Sequence, residues 1–217
     1  MDLLQAGFAA RYKTAVANEP SAKDIRVGRL YIDGTDPAID KAVDEALATK
    51  GFQVIKLNKA FMARWDQAEK DAKTVALADG WLSDQTYSDK KGVSGTTKLA
   101  IAKGKQEYQG DYAHALRRQA AWERTLLRVF EKVDFIALPT LQKLPPAIPF
   151  FGRTIVIESQ ILSMQNTAAV NFAGNPALAM PVPLQGQKIS VTSLQLIGSR
   201  FSEAELLNAG RIIESTP

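Results

Sequence analysis

The run Gly92-Val-Ser-Gly-Thr-Thr-Lys98 places a hydroxyl on a glycine turn with an amine four residues on. Those are the types a nucleophile and its base require. The spacing matches neither the G-x-x-x-x-G-K-[ST] phosphate loop nor the G-x-S-x-G elbow, because Gly95 follows Ser94 directly. A surface loop is therefore the expectation for Ser94 and Lys98. His114 is the only imidazole, so a Ser-His-Asp site would have to use it. It lies among Asp111, Tyr112, Arg117 and Arg118 on a helix whose apolar side is read as Leu116 and Ala120, which predicts a solvated histidine. The pairs Asp33/Asp36 and Glu203/Glu205 sit at helix starts, where carboxylates complement the helix dipole without any catalytic role.

A more specific pattern runs from Asn166 to Pro183. Gly174 followed by Asn175-Pro176 demands a sharp reversal between a helix-sized segment and an apolar strand, and glycine supplies positive φ there. Thr167 and Asn171, four apart, share one helical face. They either brace the turn or contact a substrate. Gln195 is a polar side chain inside the apolar run Leu194-Gln-Leu-Ile197, so it is either a buried, hydrogen-bonded support or a pocket wall.

These residues need a scaffold. Leu3, Leu4, Phe8, Tyr12 and Ala15 predict a helix over 2–17. Residues 25–32 read as a half-buried strand, 33–37 as a turn with a helix start, Ile39, Ala42, Val43, Ala46 and Leu47 as one face of a helix stopped by Lys50-Gly51, and 52–57 as a second strand: a βαβ unit of a parallel sheet. Phe61, Trp65, Ala68, Ala72 and Val75 mark a helix. Residues 80–110 read as short helices and loops. Tyr112, Leu116, Ala120, Leu127 and Phe130 line one side of a long helix, interrupted at Glu123. Val133–Thr140 is a central strand, the proline-rich 142–153 is irregular, and 154–164 is ambiguous. Ala177–Val182 and Val191–Ile197 are strands. Ser202-Glu-Ala-Glu205 fits a capping box before a final helix.

With 217 residues, 46% apolar and 23% charged, the chain can bury a proper core. The absence of Cys excludes disulfides and thiolate ligands, and a single His excludes a multi-His metal site. Residues 1–110 carry 17 basic and 15 acidic side chains and residues 111–217 carry 10 and 8, so the net charge of +4 is spread along the chain. No nucleic-acid partner is expected on that ground; no membrane partner is expected because no apolar run approaches the roughly 18 residues of a span, and no cofactor or metal is expected. No signal-peptide pattern opens the sequence, which points to the cytoplasm.

Asn171-Phe-Ala-Gly-Asn-Pro-Ala-Leu-Ala-Met-Pro181 and Ser193-Leu-Gln-Leu-Ile-Gly198 resemble two closing motifs of the amidase signature family of amide hydrolases and amidotransferases. Arg118, Val133-Asp-Phe-Ile-Ala-Leu-Pro-Thr140 and Ile25-Arg-Val-Gly28 resemble its upstream helix and strands in the same order. The resemblance implies an α/β fold, part of a twisted mixed sheet flanked by helices on both faces. It makes residues 1–217 one domain similar to the C-terminal half of the signature domain. It implies substrate-side positions at Thr167, Asn171 and Gln195. The family's Gly/Ser-rich segment, which carries the nucleophile, a cis-peptide Ser and an upstream Lys, has no match here, so no catalytic residue is carried over. Val191-Thr-Ser193 stands where the family commonly has Pro-Val-Gly. The expectation is a C-terminal portion of an amidase-like hydrolase, inactive alone and completed by a missing N-terminal half. The alternative is a binding or structural module that pairs with a second copy through an open sheet edge.

Overall fold

The computed structural model describes residues 21–145 and 165–215. The predicted helix over 2–17, the ambiguous 154–164 and residues 146–153 of the proline-rich stretch lie outside them. After a single 3-10 turn the chain runs β1 (Arg26–Arg29), α1 (Pro37–Lys50), β2 (Gln53–Lys56), α2 (Lys59–Asp84), α3 (Gly95–Gln109), α4 (Tyr112–Phe130), β3 (Phe135–Pro139), α5 (Ala168–Ala173), β4 (Ala177–Pro183), β5 (Val191–Ile197) and α6 (Glu203–Glu214). The sheet order is β2-β1-β3-β5-β4. β2, β1 and β3 are mutually parallel, whereas β5 runs antiparallel to both β3 and β4. The expected βαβ unit and mixed α/β sheet are present.

Local chemistry sets the element ends. Asp36 accepts the amide of Ala38 at 2.9 Å and Pro37 occupies the first turn of α1, where a missing N–H costs nothing. Gly51 closes that helix at φ 79°, a conformation glycine adopts without a Cβ clash. Asn58 caps α2 by accepting from the amide of Phe61.

Helices cover both faces of the sheet. Phe135 and Ala137 of β3 point toward α1 and α6 with Val27, Leu194 and Leu196. Ile136 and Leu138 point the other way, toward Trp65, Trp122 and Val170 on α2, α4 and α5. β3 is buried at every residue, as a central strand with two covered faces must be. At the far edge, Gly198 donates its amide to Pro176 and Leu184 donates to Ser190. With the β4–β5 register, this turns the even residues of β4 inward and leaves Pro181 and Pro183 facing out. The two prolines thus occupy positions where no ladder bond is needed.

Three expectations are corrected. Residues 80–110 are not short pieces: α2 continues to Asp84 and α3 is a single 15-residue helix. Its apolar content is thin because it packs mainly on α2 through Ile101 and Gly104, with Tyr108 against Trp81 at 4.8 Å between ring centroids. On α4 the buried residues are Ala115, Trp122 and Leu126, while Leu116 and Leu127 are exposed. The sequence stripe failed because Trp122 outweighs the leucines as a packing surface and turns the helix toward the Trp65–Phe61 cluster. Ser202 makes no capping bond; its hydroxyl donates to the carbonyl of Ser199 instead.

Two ion-pair clusters tie elements together, one joining α4 to α2 and one joining β1 to α1. Arg118 grips Asp71 with Nε and Nη2 at 2.7 to 3.1 Å and also meets Asp111. Those hydrogen bonds push the guanidinium above its ordinary value. Arg29 is fully buried and paired with Asp44 at 2.7 Å and with Asp40, which locks β1 to α1.

Candidate functional site

The parallel strands β1 and β3 end side by side, and in open α/β sheets ligands bind outside such carboxyl ends. A polar cluster sits there. Thr140, just past β3, donates its amide to Ser193 and accepts the amide of Asn166 at 3.0 Å. Its hydroxyl lies 2.8 Å from the hydroxyl of Ser193. Ser193 stands where the family motif carries glycine, so this chain adds a side-chain bond between β3 and β5 at that point. Asn166 is 1% exposed. Its amide donates to the carbonyl of Pro139 at 2.9 Å and its Oδ1 accepts from Gln142 at 2.9 Å. Its own carbonyl accepts from Gln195 Nε2 at 3.0 Å.

Gln195 is therefore a buried, hydrogen-bonded support. Thr167 is half-buried at the start of α5, makes no side-chain cap, and accepts the amide of Asn171. Asn171 is exposed, and its carbonyl accepts from Gly174 at the left-handed turn. The structure thus brings Gln195 to Asn166, next to Thr167, and leaves Asn171 on the outer side of α5.

A six-residue helix is marginal by itself, and α5 is held by side chains from other elements. Ala169 donates its amide to Glu69 at 2.9 Å while its carbonyl accepts from Trp122 at 2.8 Å. Gln119 donates to the carbonyl of Phe172, and Arg200 donates to that of Ala173. Arg200 also pairs with Glu123 at 2.8 Å.

Beside Asn166 opens a cavity of about 260 Å³, walled by Ile32, Trp65, Glu69, Lys70, Lys73 and Gln142 among others. Glu69 is 9% exposed; its second oxygen lies 3.5 Å from the Lys73 ammonium and, among the described residues, forms no hydrogen bond. Burial pushes its pKa up, against the opposing pull of the Ala169 amide and Lys73. Asp66 is also raised, by burial and then by the charge of Asp33. Lys70 and Lys73 stand in the same cavity wall and oppose the rise. Beyond its spacing from Phe61 and Trp65, which puts it on the same helical face, nothing in the sequence pattern singles out Glu69 among the charged residues of α2.

Because burial raises Glu69, the folded chain holds more protons than the unfolded one between the ordinary glutamate pKa and the raised value. This group's contribution to stability therefore declines as pH rises through that window. Glu69→Gln keeps an acceptor for Ala169. It is expected to flatten that decline and to stabilise the chain at neutral pH by on the order of 1 kcal/mol. Urea midpoints measured across the acid-to-neutral range check this.

The other candidates fall elsewhere. Ser94 caps α3 by accepting the amide of Thr97 at 3.1 Å, and His114 is exposed on α4. Asp36 is a helix cap, and Glu203 and Glu205 lie in the first turn of α6. Among the described residues no helix is long and apolar enough to cross a membrane, and no group of three or more His, Asp or Glu residues is arranged to hold a metal ion.

Residues 5–207 match the Amidase family. The chain is 33% identical to a glutamyl-tRNA(Gln) amidotransferase subunit from Thermodesulfovibrio yellowstonii, over 90% of this chain and 46% of that protein. It is 29% identical to the 2-amino-5-chloromuconic acid deaminase of Comamonas testosteroni, over 88% of this chain and 43% of that one. In fold it resembles a 6-aminohexanoate cyclic dimer hydrolase, with a TM-score of 0.70 and 20% identity over 94% of this chain and 47% of that one. The chain spans about half the length of the curated relatives it matches.

Proposed function

The chain belongs to the amidase family, and from that premise we propose that it builds the substrate-facing side of an amide-bond hydrolase. The nucleophile is then supplied by a Gly/Ser-rich segment outside these 217 residues. In this reading the chain folds as one domain corresponding to the C-terminal half of the signature fold. The observation that carries it is the Thr140–Asn166–Gln195–Ser193 network, buried at Asn166 and Gln195 and half-buried at Thr140 and Ser193, which joins the carboxyl end of β3 to β5 and the start of α5. Such rigidity is what a site needs to hold a substrate in reacting geometry.

In the complete enzyme a serine hydroxyl adds to the amide carbonyl, backbone N–H groups hold the oxyanion, and the proton passes to the departing nitrogen. The present residues supply position. Asn166 and Gln195 are positioning residues, because their polar atoms are spent on the backbone. Thr167 and Asn171 are the side chains proposed to meet substrate, since neither is bound within the network.

Amide hydrolysis is read as ammonia or amine release from a panel of small amides. The expected result is no release by the chain alone and release when an upstream Lys-Ser-Ser segment is joined or mixed with it. Asn171→Ala is then expected to raise KM several-fold, about 1 kcal/mol of binding, with little change in melting temperature. Turnover by the purified chain alone would overturn this reading.

A second reading, a module that self-associates, rests on the two edges of the sheet, β2 and β4, that no described strand pairs. Light scattering separates the two: a concentration-independent monomer removes the second.

A further inference from the structure

The even spread of charge along the sequence does not survive folding. Where β2 ends, α2 begins and α4 finishes, a groove of about 300 Å³ opens, floored by Ile55, Leu57, Phe61, Val129 and Val133. Arg64, Arg128 and Lys132 rim it, and no carboxylate lines it; Lys56, at its edge, turns its ammonium the other way, over the Tyr31 ring at 4.9 Å from the centroid. Among the described residues none of the three rim cations forms an ion pair. Sequence averaging missed the cluster because Arg64 and Lys132 stand 68 residues apart and only the fold brings them to one groove.

The groove adjoins the outer edge of the sheet. Gln53 donates its amide to Ile25 and Leu57 donates to Arg29, so the alternate residues Val54 and Lys56 turn their amides and carbonyls away from β1. Val54 and Ile55, on opposite faces of the strand, are 46% and 42% exposed. A lysine on a short edge strand is a common guard against unwanted pairing. That accounts for Lys56, but not for Arg64 on α2, Arg128 on α4 and Lys132 just past the end of α4.

We propose that this edge and groove receive an extended acidic segment of a partner polypeptide, added as a strand beside β2. Its backbone pairs with the free groups of Val54 and Lys56. Alternate side chains lie over Ile55, where carboxylates meet Arg64, Arg128 and Lys132. A second copy pairing β2 against β2 would set cations against cations, so this edge favours an acidic partner. A nucleic acid would match the charge but leave the apolar floor and the strand edge unused.

The test is fluorescence anisotropy with a labelled peptide of alternating Glu and Val, on the full chain. Controls are a peptide of equal charge interrupted by central prolines, and a short single-stranded RNA. The uninterrupted peptide is expected to bind about tenfold or more tightly than the proline-broken one. Arg128→Glu combined with Lys132→Glu should weaken binding by about tenfold or more. Val54→Pro, which removes an outward amide and no charge, should do the same. Equal binding of the broken peptide, or RNA competing as well per charge, would reduce the groove to a general polyanion patch and overturn the proposal. So would the absence of binding up to about 1 mM. The charge-reversal pair lies on exposed positions, so it remains informative if Val54→Pro does not fold.

Discussion

Replacing Asn166 with Asp is expected to unfold the chain at lower denaturant by about 3–5 kcal/mol at neutral pH, although the two side chains have nearly the same shape. At 1% exposure, the Asn166 amide donates to Pro139 and its Oδ1 accepts from Gln142. A carboxylate can only accept. It would face the Pro139 carbonyl with like partial charge, and would bury a negative charge with one neutral donor. The sign of the pH dependence follows. Burial raises the introduced carboxyl above its unfolded value of about 3.9, and once protonated it can donate to Pro139 again. The deficit is therefore full above the folded value and shrinks as pH falls toward the unfolded one. Urea titrations of both proteins at neutral and mildly acidic pH measure it. A deficit that stays constant across that range would show that the Pro139 bond is not its origin.

Gly104 carries the second large effect. A Cβ built there would lie 2.2 Å from the carbonyl oxygen of Leu77 and 2.8 Å from Trp81 Cβ. The first of these is backbone, so α2 and α3 must part to admit it. In a helix interior, glycine to alanine ordinarily gains up to about 1 kcal/mol. Here the sign reverses, and Gly104→Ala is expected to cost about 3 kcal/mol, near the upper end for overpacking. Gly80→Ala, within α2 and with nothing within 4 Å of the new methyl, is the control, expected to gain about 0.5–1 kcal/mol. Melting curves of the two variants should move in opposite directions. Matching shifts would mean that helix propensity, and not the contact between α2 and α3, governs both sites.

That contact also explains what was legible in the sequence. β3 could be read because both its faces are buried and its residues are uniformly apolar. Gly51 and Gly174 could be read because each stands where a helix must end in the left-handed region. α3 could not, because a helix that buries little more than Ile101 and a glycine leaves almost no apolar period, and a mid-helix glycine imitates a loop. At the site, Gln195 was visible as a polar residue in an apolar strand. Asn166 was not, since its importance comes from Pro139, Thr140, Gln142 and Gln195, which only the fold gathers around it. Ser94 and His114 had the right chemistry and the wrong surroundings: a helix cap and an open helix face.

The strand order has a consequence for how the protein is made. β5 follows β4 in the chain yet lies between β3 and β4. On a ribosome β3 emerges first, and β4 has no partner on it to join; the β4–β5 hairpin must close and then dock through β5. Every bond from Ser193 or Gln195 to Thr140 and Asn166 waits for that docking. The helices and parallel strands can gather during synthesis, but the network at the carboxyl end of β3 is completed only after β5 has left the exit tunnel.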